Sequence, residues 1–121
     1  MAKVYLDTKI FIDIAEERKD ITLDGFLGYE LTTSPLSIHI LFYVAKRKVP
    51  YQKVAEIIES LVLVPFDRKI TAKALEGPTA DFEDNVQLHS CTTADCDLFL
   101  TKDKKLLKMK FFGKAKIVSR L

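Results

Sequence analysis

The sequence predicts an α/β protein, a three-layer α/β/α sandwich around a central, mainly parallel sheet of about five strands. Three observations carry that expectation. Short apolar runs of β character alternate with stretches whose apolar residues recur at helical spacing. Such alternation is the pattern of parallel strands joined by helices that cover both faces of the sheet. Finally, the four glycines and four prolines fall at turns, with no repeat, low-complexity tract or Gly/Ser linker, so residues 1–121 read as one domain.

The elements follow in order. Lys3 to Leu6 reads as a buried strand, and Ile10, Ile12, Ile14 and Ala15 make the apolar side of a helix that stops at the charged run Glu16-Glu17-Arg18-Lys19-Asp20. After a turn around Asp24-Gly25 and Gly28, Tyr29 to Thr33 is the second strand. Ser34-Pro35 is a helix start, because serine caps free N–H groups and proline suits the first turn, so Leu36 to Lys46 should be helical. Pro50 opens a further helix through Val54, Ile57, Ile58 and Leu61, and Leu61 to Val64 before Pro65 reads as the third strand. Asp67 caps a helix that ends at Gly77-Pro78, and Asp81 caps the next. Leu98 to Thr101 is the fourth strand and Ala115 to Ser119 the fifth, with a helical turn around Lys104 to Leu107 between them.

Composition narrows the function classes. A 48% hydrophobic fraction supports a sizeable core, yet the longest near-apolar segment, Ile38 to Ala45, is far short of the ~20 residues a membrane-spanning helix needs. No secretory or lipidation signal is visible, and two cysteines, Cys91 and Cys96, are too few to staple a secreted scaffold. Cytoplasmic localisation and no membrane partner are therefore expected. Net charge is only +2, but the C-terminal part concentrates Lys102, Lys104, Lys105, Lys108, Lys110, Lys114, Lys116 and Arg120 around Asp103. A cluster of that kind can grip phosphates, or can be a solvated rim over core aromatics.

The acids are more informative. Asp7 follows the first strand and Asp103 follows the fourth, and in an open parallel sheet ligands bind beyond the carboxyl ends of strands. Asp84 lies at the start of a helix in Asp81-Phe82-Glu83-Asp84. Three converging carboxylates point to a divalent cation, because hard oxygen donors suit Mg²⁺ or Mn²⁺.

Leu6-Asp7-Thr8, then Asp81-Phe82-Glu83-Asp84-Asn85-Val86-Gln87, then Cys96-Asp97-Leu98-Phe99-Leu100-Thr101-Lys102-Asp103 stand in the order of a PIN domain. Over nearly its whole length the chain resembles the small VapC-like ribonucleases of toxin–antitoxin pairs. The resemblance implies a metal-dependent endoribonuclease in which Asp7, Asp84 and Asp103 hold Mg²⁺ or Mn²⁺, supported by Thr101 and Thr8. It also implies a homodimer and a small antitoxin protein. Lys102, Lys104 and Lys105 are the candidates for binding the RNA.

Two positions depart from the family pattern. The family's remaining acid, a Glu in the helix after the second strand, corresponds to Ile40, and the small polar residue two places after the first acid corresponds to Lys9. Lys9 either neutralises Asp7 or Asp103 in part and weakens metal binding, or points to solvent along the first helix. The alternative reading is a weakened or inactive PIN domain that binds RNA or a protein.

The other candidates are secondary. His39 adjoins Ile40, but neighbours on a helix point about 100° apart, so it is not expected to face the same pocket. Asp81 is expected to act as a helix cap, and Asp97 to serve a turn at the start of the fourth strand. Gln87 reads as exposed helix polarity or as a contact to RNA. His89, Cys91 and Cys96 match no common zinc spacing and read as structural.

Overall fold

The computed structural model describes residues 1–18 and 21–121, so Lys19 and Asp20 of the charged run lie outside the described residues. The strands are β1 (Ala2–Leu6), β2 (Tyr29–Thr33), β3 (Val62–Leu63), β4 (Leu98–Leu100), β5 (Phe111–Phe112) and β6 (Ala115–Val118). The helices are α1 (Thr8–Ala15), α2 (Pro35–Val44), α3 (Gln52–Glu59), α4 (Arg68–Glu76), α5 (Phe82–Thr93) and α6 (Lys104–Met109), with a 3₁₀ turn at Leu23–Phe26.

One sheet carries the order β3-β2-β1-β4-β6-β5. All neighbours are parallel except β5 and β6, which pair Phe111 with Lys116 and Phe112 with Ala115 in an antiparallel hairpin. The sheet thus has six strands rather than about five. The extra strand is only two residues long and carries no period, and its hairpin turns at Gly113, where φ is +59°.

Residues of the central strands alternate between two cores, as a strand's period of two requires. Tyr5 and Phe99 stack at 5.4 Å between centroids and pack with Val86, Leu88, Cys91, Ile70 and Leu106 from α4, α5 and α6. Val4, Leu6 and Leu100 face the other way against Ile10 and Ile14 of α1. A third cluster, Phe11, Ile12, Leu41, Val54 and Ile57, joins α1 to α2 and α3. No helix among the described residues is long and apolar enough to cross a membrane.

Local signals set the helix starts. Ser34 accepts from the Leu36 N–H at 3.1 Å ahead of Pro35, and Asp67 accepts from the Ile70 N–H at 3.0 Å. The helix expected from Pro50 begins at Gln52, behind Tyr51. On α2 only Ser37 and Leu41 are fully buried, and Tyr43 stands 79% exposed although its apolar neighbours suggest a core position.

Candidate metal centre

β1 and β4 lie side by side at the centre of the sheet, and the chain leaves them toward opposite edges, which makes their carboxyl ends the switch point of the topology. Asp7 follows β1 and caps α1. Its Oδ1 accepts from the Thr8 N–H at 2.8 Å, and its Oδ2 accepts from the Thr101 hydroxyl at 2.6 Å. Thr101 is fully buried, and the same hydroxyl oxygen accepts the Asp103 N–H at 3.0 Å. One threonine therefore ties the first acid to the backbone of the third.

Asp103 caps α6, its Oδ1 accepting from the Lys105 N–H at 2.8 Å and the Leu106 N–H at 3.4 Å. Asp84 is the third residue of α5. The cap of that helix is Asp81, whose Oδ1 accepts the Asp84 N–H at 2.9 Å, as expected of Asp81 from the sequence.

Asp7, Asp84 and Asp103 line one cavity of about 560 Å³. Two of the three carboxyls, those of Asp7 and Asp84, hold their protons more tightly than a free aspartate. Burial pushes the Asp7 carboxyl from 3.8 up to about 6, with Glu83 and Asp103 adding repulsion and the Thr101 and Thr8 bonds opposing it. Asp84 is raised to about 7, first by desolvation, then by the charges of Asp81, Asp7, Asp103 and Glu83. Carboxylate oxygens lining one cavity are a donor type suited to a hard divalent cation, whose charge would offset the repulsion felt by Asp7 and Asp84. Among the described residues no three His, Cys, Asp or Glu side chains are already drawn together into a compact ligand cluster.

The cavity carries both signs of charge in its lining. Lys9, Arg18 and Lys102 line it together with the acids Asp81 and Glu83. Lys9 is exposed and makes no ion pair with the three aspartates among the described residues, which matches the solvent-pointing reading rather than the counter-charge one. Ile40 lines the same cavity and puts an apolar side chain where the family pattern has a carboxylate. His39 is exposed and lies outside the cavity lining.

The lysines divide. Lys102 lines the cavity and donates to the Ser119 carbonyl at 2.6 Å. Lys105 lines a second cavity of about 500 Å³ that shares Asp81, Asp84 and Asp103 with the first. Lys104 is exposed and lines neither. Asp97 sits at the opposite end of the sheet, where its Oδ2 accepts the Lys3 N–H at 2.9 Å and Lys114 pairs with it at 3.5 Å. His89 bonds the Gly77 carbonyl at 2.8 Å and packs edge-on against Phe112, a structural role.

Gln87 is the clear departure from expectation. It is fully buried rather than an exposed polar residue, and bonds Tyr5, Thr8 and Ser37 beneath Asp7. The signal was available: Gln87 lies between the core residues Val86 and Leu88, and a tyrosine in a fully buried strand needs a polar partner. Arg18 and Glu83 join the cavity without a distinctive sequence signal, since both belong to charged runs that read as solvated helix ends.

A family model described as PIN domain matches residues 4–112. No curated protein matches. Among solved structures, VapBC2 from Rickettsia felis bound to a DNA fragment from their promoter superposes with a TM-score of 0.68 at 16% identity, covering 96% of this chain and 97% of that one. At that identity the likeness is one of fold.

Proposed function

The chain belongs to the PIN domain family, and from that premise we propose that it is a divalent-metal-dependent endoribonuclease, the toxin of a toxin–antitoxin pair. The observation that carries the reading is the shared cavity of Asp7, Asp84 and Asp103, with two of the carboxyls raised to about 6 and about 7. Asp7, Asp84 and Asp103 would hold Mg²⁺ or Mn²⁺, which when bound supplies an activated water and a counter-charge for a phosphodiester in displacement.

The chain's own residues do the rest. Thr101 holds the Asp7 carboxylate by one oxygen and anchors the backbone of Asp103, so one side chain links the two acids. Lys9, Arg18 and Lys102 in the cavity lining would attract a phosphate toward the acids. Lys105 extends that attraction along the second cavity, and Lys104 adds to the field from the surface. The exposed Tyr43 and the half-exposed Val44 on α2 support a protein interface, with a second copy of the chain or with a small antitoxin.

Ile40 in the cavity wall favours a second reading, a PIN domain that binds RNA or a protein without cleaving. Incubation of the purified protein with mixed RNA and Mn²⁺, beside Asp7→Asn and Asp103→Asn, separates the two. Cleavage by the wild type that disappears in both variants is the expected result. RNA binding without cleavage, unaffected by either substitution, would leave the binding module.

A further inference from the structure

We propose that Gln87 is a positioning residue for the Asp7 carboxylate, acting through Thr8. The inference deepens the nuclease reading and rests on it. Gln87 has no exposed surface, so it cannot meet RNA. Its carboxamide instead joins three elements: β1 through Tyr5, α1 through Thr8 and α2 through Ser37.

The hydrogens of this cluster can be assigned by elimination. Gln87 Nε2 donates to Thr8 Oγ1 at 2.9 Å, because an amide nitrogen has no lone pair to offer. Gln87 Oε1 accepts from the Tyr5 hydroxyl and from Ser37 Oγ at 3.3 Å. Ser37 has a single hydroxyl proton and spends it on Gln87. The contact of 3.0 Å between Thr8 Oγ1 and Ser37 Oγ must then be Thr8 donating to Ser37. Gln87, Thr8 and Ser37 form a closed ring in which every bond runs in one direction. Tyr5, held protonated by burial, locks the amide oxygen from outside the ring.

Thr8 is also the residue whose backbone N–H donates to Asp7 Oδ1 at 2.8 Å. Ties from its side chain to α5 and α2 hold Thr8, and with it the N–H it carries, at the start of α1. Thr101 holds the other Asp7 oxygen. The carboxylate is thus held at both oxygens where it lines the cavity. A closed polar ring in an otherwise apolar core rigidifies what it touches, and here it touches the first turn of α1.

The test uses Gln87→Met, which keeps length and removes both polar atoms, and Thr8→Val, which removes the hydroxyl and keeps the backbone N–H. Mn²⁺ affinity is read by titration calorimetry, and amide hydrogen exchange at residue 8 by NMR. Each substitution is expected to weaken Mn²⁺ binding by about tenfold, the range for partners that orient a metal ligand. Exchange at residue 8 should accelerate, and the double variant should be little worse than either single, because both break the same ring. In cleavage, kcat should fall while KM for RNA holds.

Unchanged Mn²⁺ affinity and unchanged exchange in folded variants, with only a loss of stability, overturn the inference. If Gln87→Met does not fold, Thr8→Val decides. A wild type that binds Mn²⁺ but cuts no RNA defeats the nuclease reading alone. A wild type that binds no Mn²⁺ also defeats that reading, and the exchange rate at residue 8 then judges the positioning role by itself.

Discussion

Asp7→Asn should flatten the pH dependence of stability in metal-free buffer, and the size of the change can be worked from the structure. Asp7 is 8% exposed, and burial raises its carboxyl from 3.8 to about 6. Between those values the folded protein keeps a proton that the unfolded chain has lost. The contribution of Asp7 to stability is therefore fully present below pH 3.8 and is lost as the pH rises through about 6. Over the whole interval the loss is about 3 kcal/mol, and between about pH 5 and about pH 8 it is about 1.4 kcal/mol.

Asparagine does not titrate, so that slope should disappear from the variant. Any change in the bonds to Thr8 and Thr101 shifts the whole curve and leaves its slope alone. A residual slope of the same sign should remain from Asp84, which is raised to about 7, partly by the Asp7 charge that the substitution removes. Urea unfolding with a chelator present is the assay. With a slope of about 2 kcal/mol per molar urea, the wild-type midpoint should fall by roughly 0.7 M more than that of the variant between the two pH values. Equal pH dependence in the two proteins would refute the claim that a buried, charged Asp7 costs stability.

Two further outcomes are expected. Ile40→Glu should tighten Mn²⁺ binding by supplying a carboxylate to the cavity wall, and Lys9→Asn should do so by removing a cation from its rim; calorimetry that finds neither effect would show that these two departures are without consequence for the metal. Thr101→Val removes the donor to Asp7 and the acceptor of the Asp103 N–H, so stability should fall by about 1–3 kcal/mol and the Asp7 carboxyl should titrate still higher than about 6, as read by carboxyl NMR.

Much of the architecture was legible because it is encoded locally. Serine before proline at Ser34-Pro35, aspartate before a helical run at Asp67 and Asp81, and a glycine at Gly77 each act over a few residues, and each delivered the boundary it announced. The same holds for β2, whose range of Tyr29–Thr33 matches the run read as a strand from its β-favouring residues. Where the local signal was weak the reading slipped. The two-residue strand β5 exists only because β6 pairs with it, and α3 waits until Gln52 although proline stands at position 50.

The sequence by itself determined the family, the helix caps and the three aspartates at strand or helix termini, because order along the chain and short-range hydrogen bonding suffice for those. Only the tertiary structure decided what surrounds the acids. Placing β1 beside β4 brings residues 7 and 103 to one crevice, turns Gln87 inward between Tyr5 and Ser37, and sets Arg18 and Ile40 on the cavity wall. The physical reason is that burial and charge repulsion depend on distance through space, and separations of 79 to 94 residues along the chain become hydrogen bonds only when the sheet is assembled.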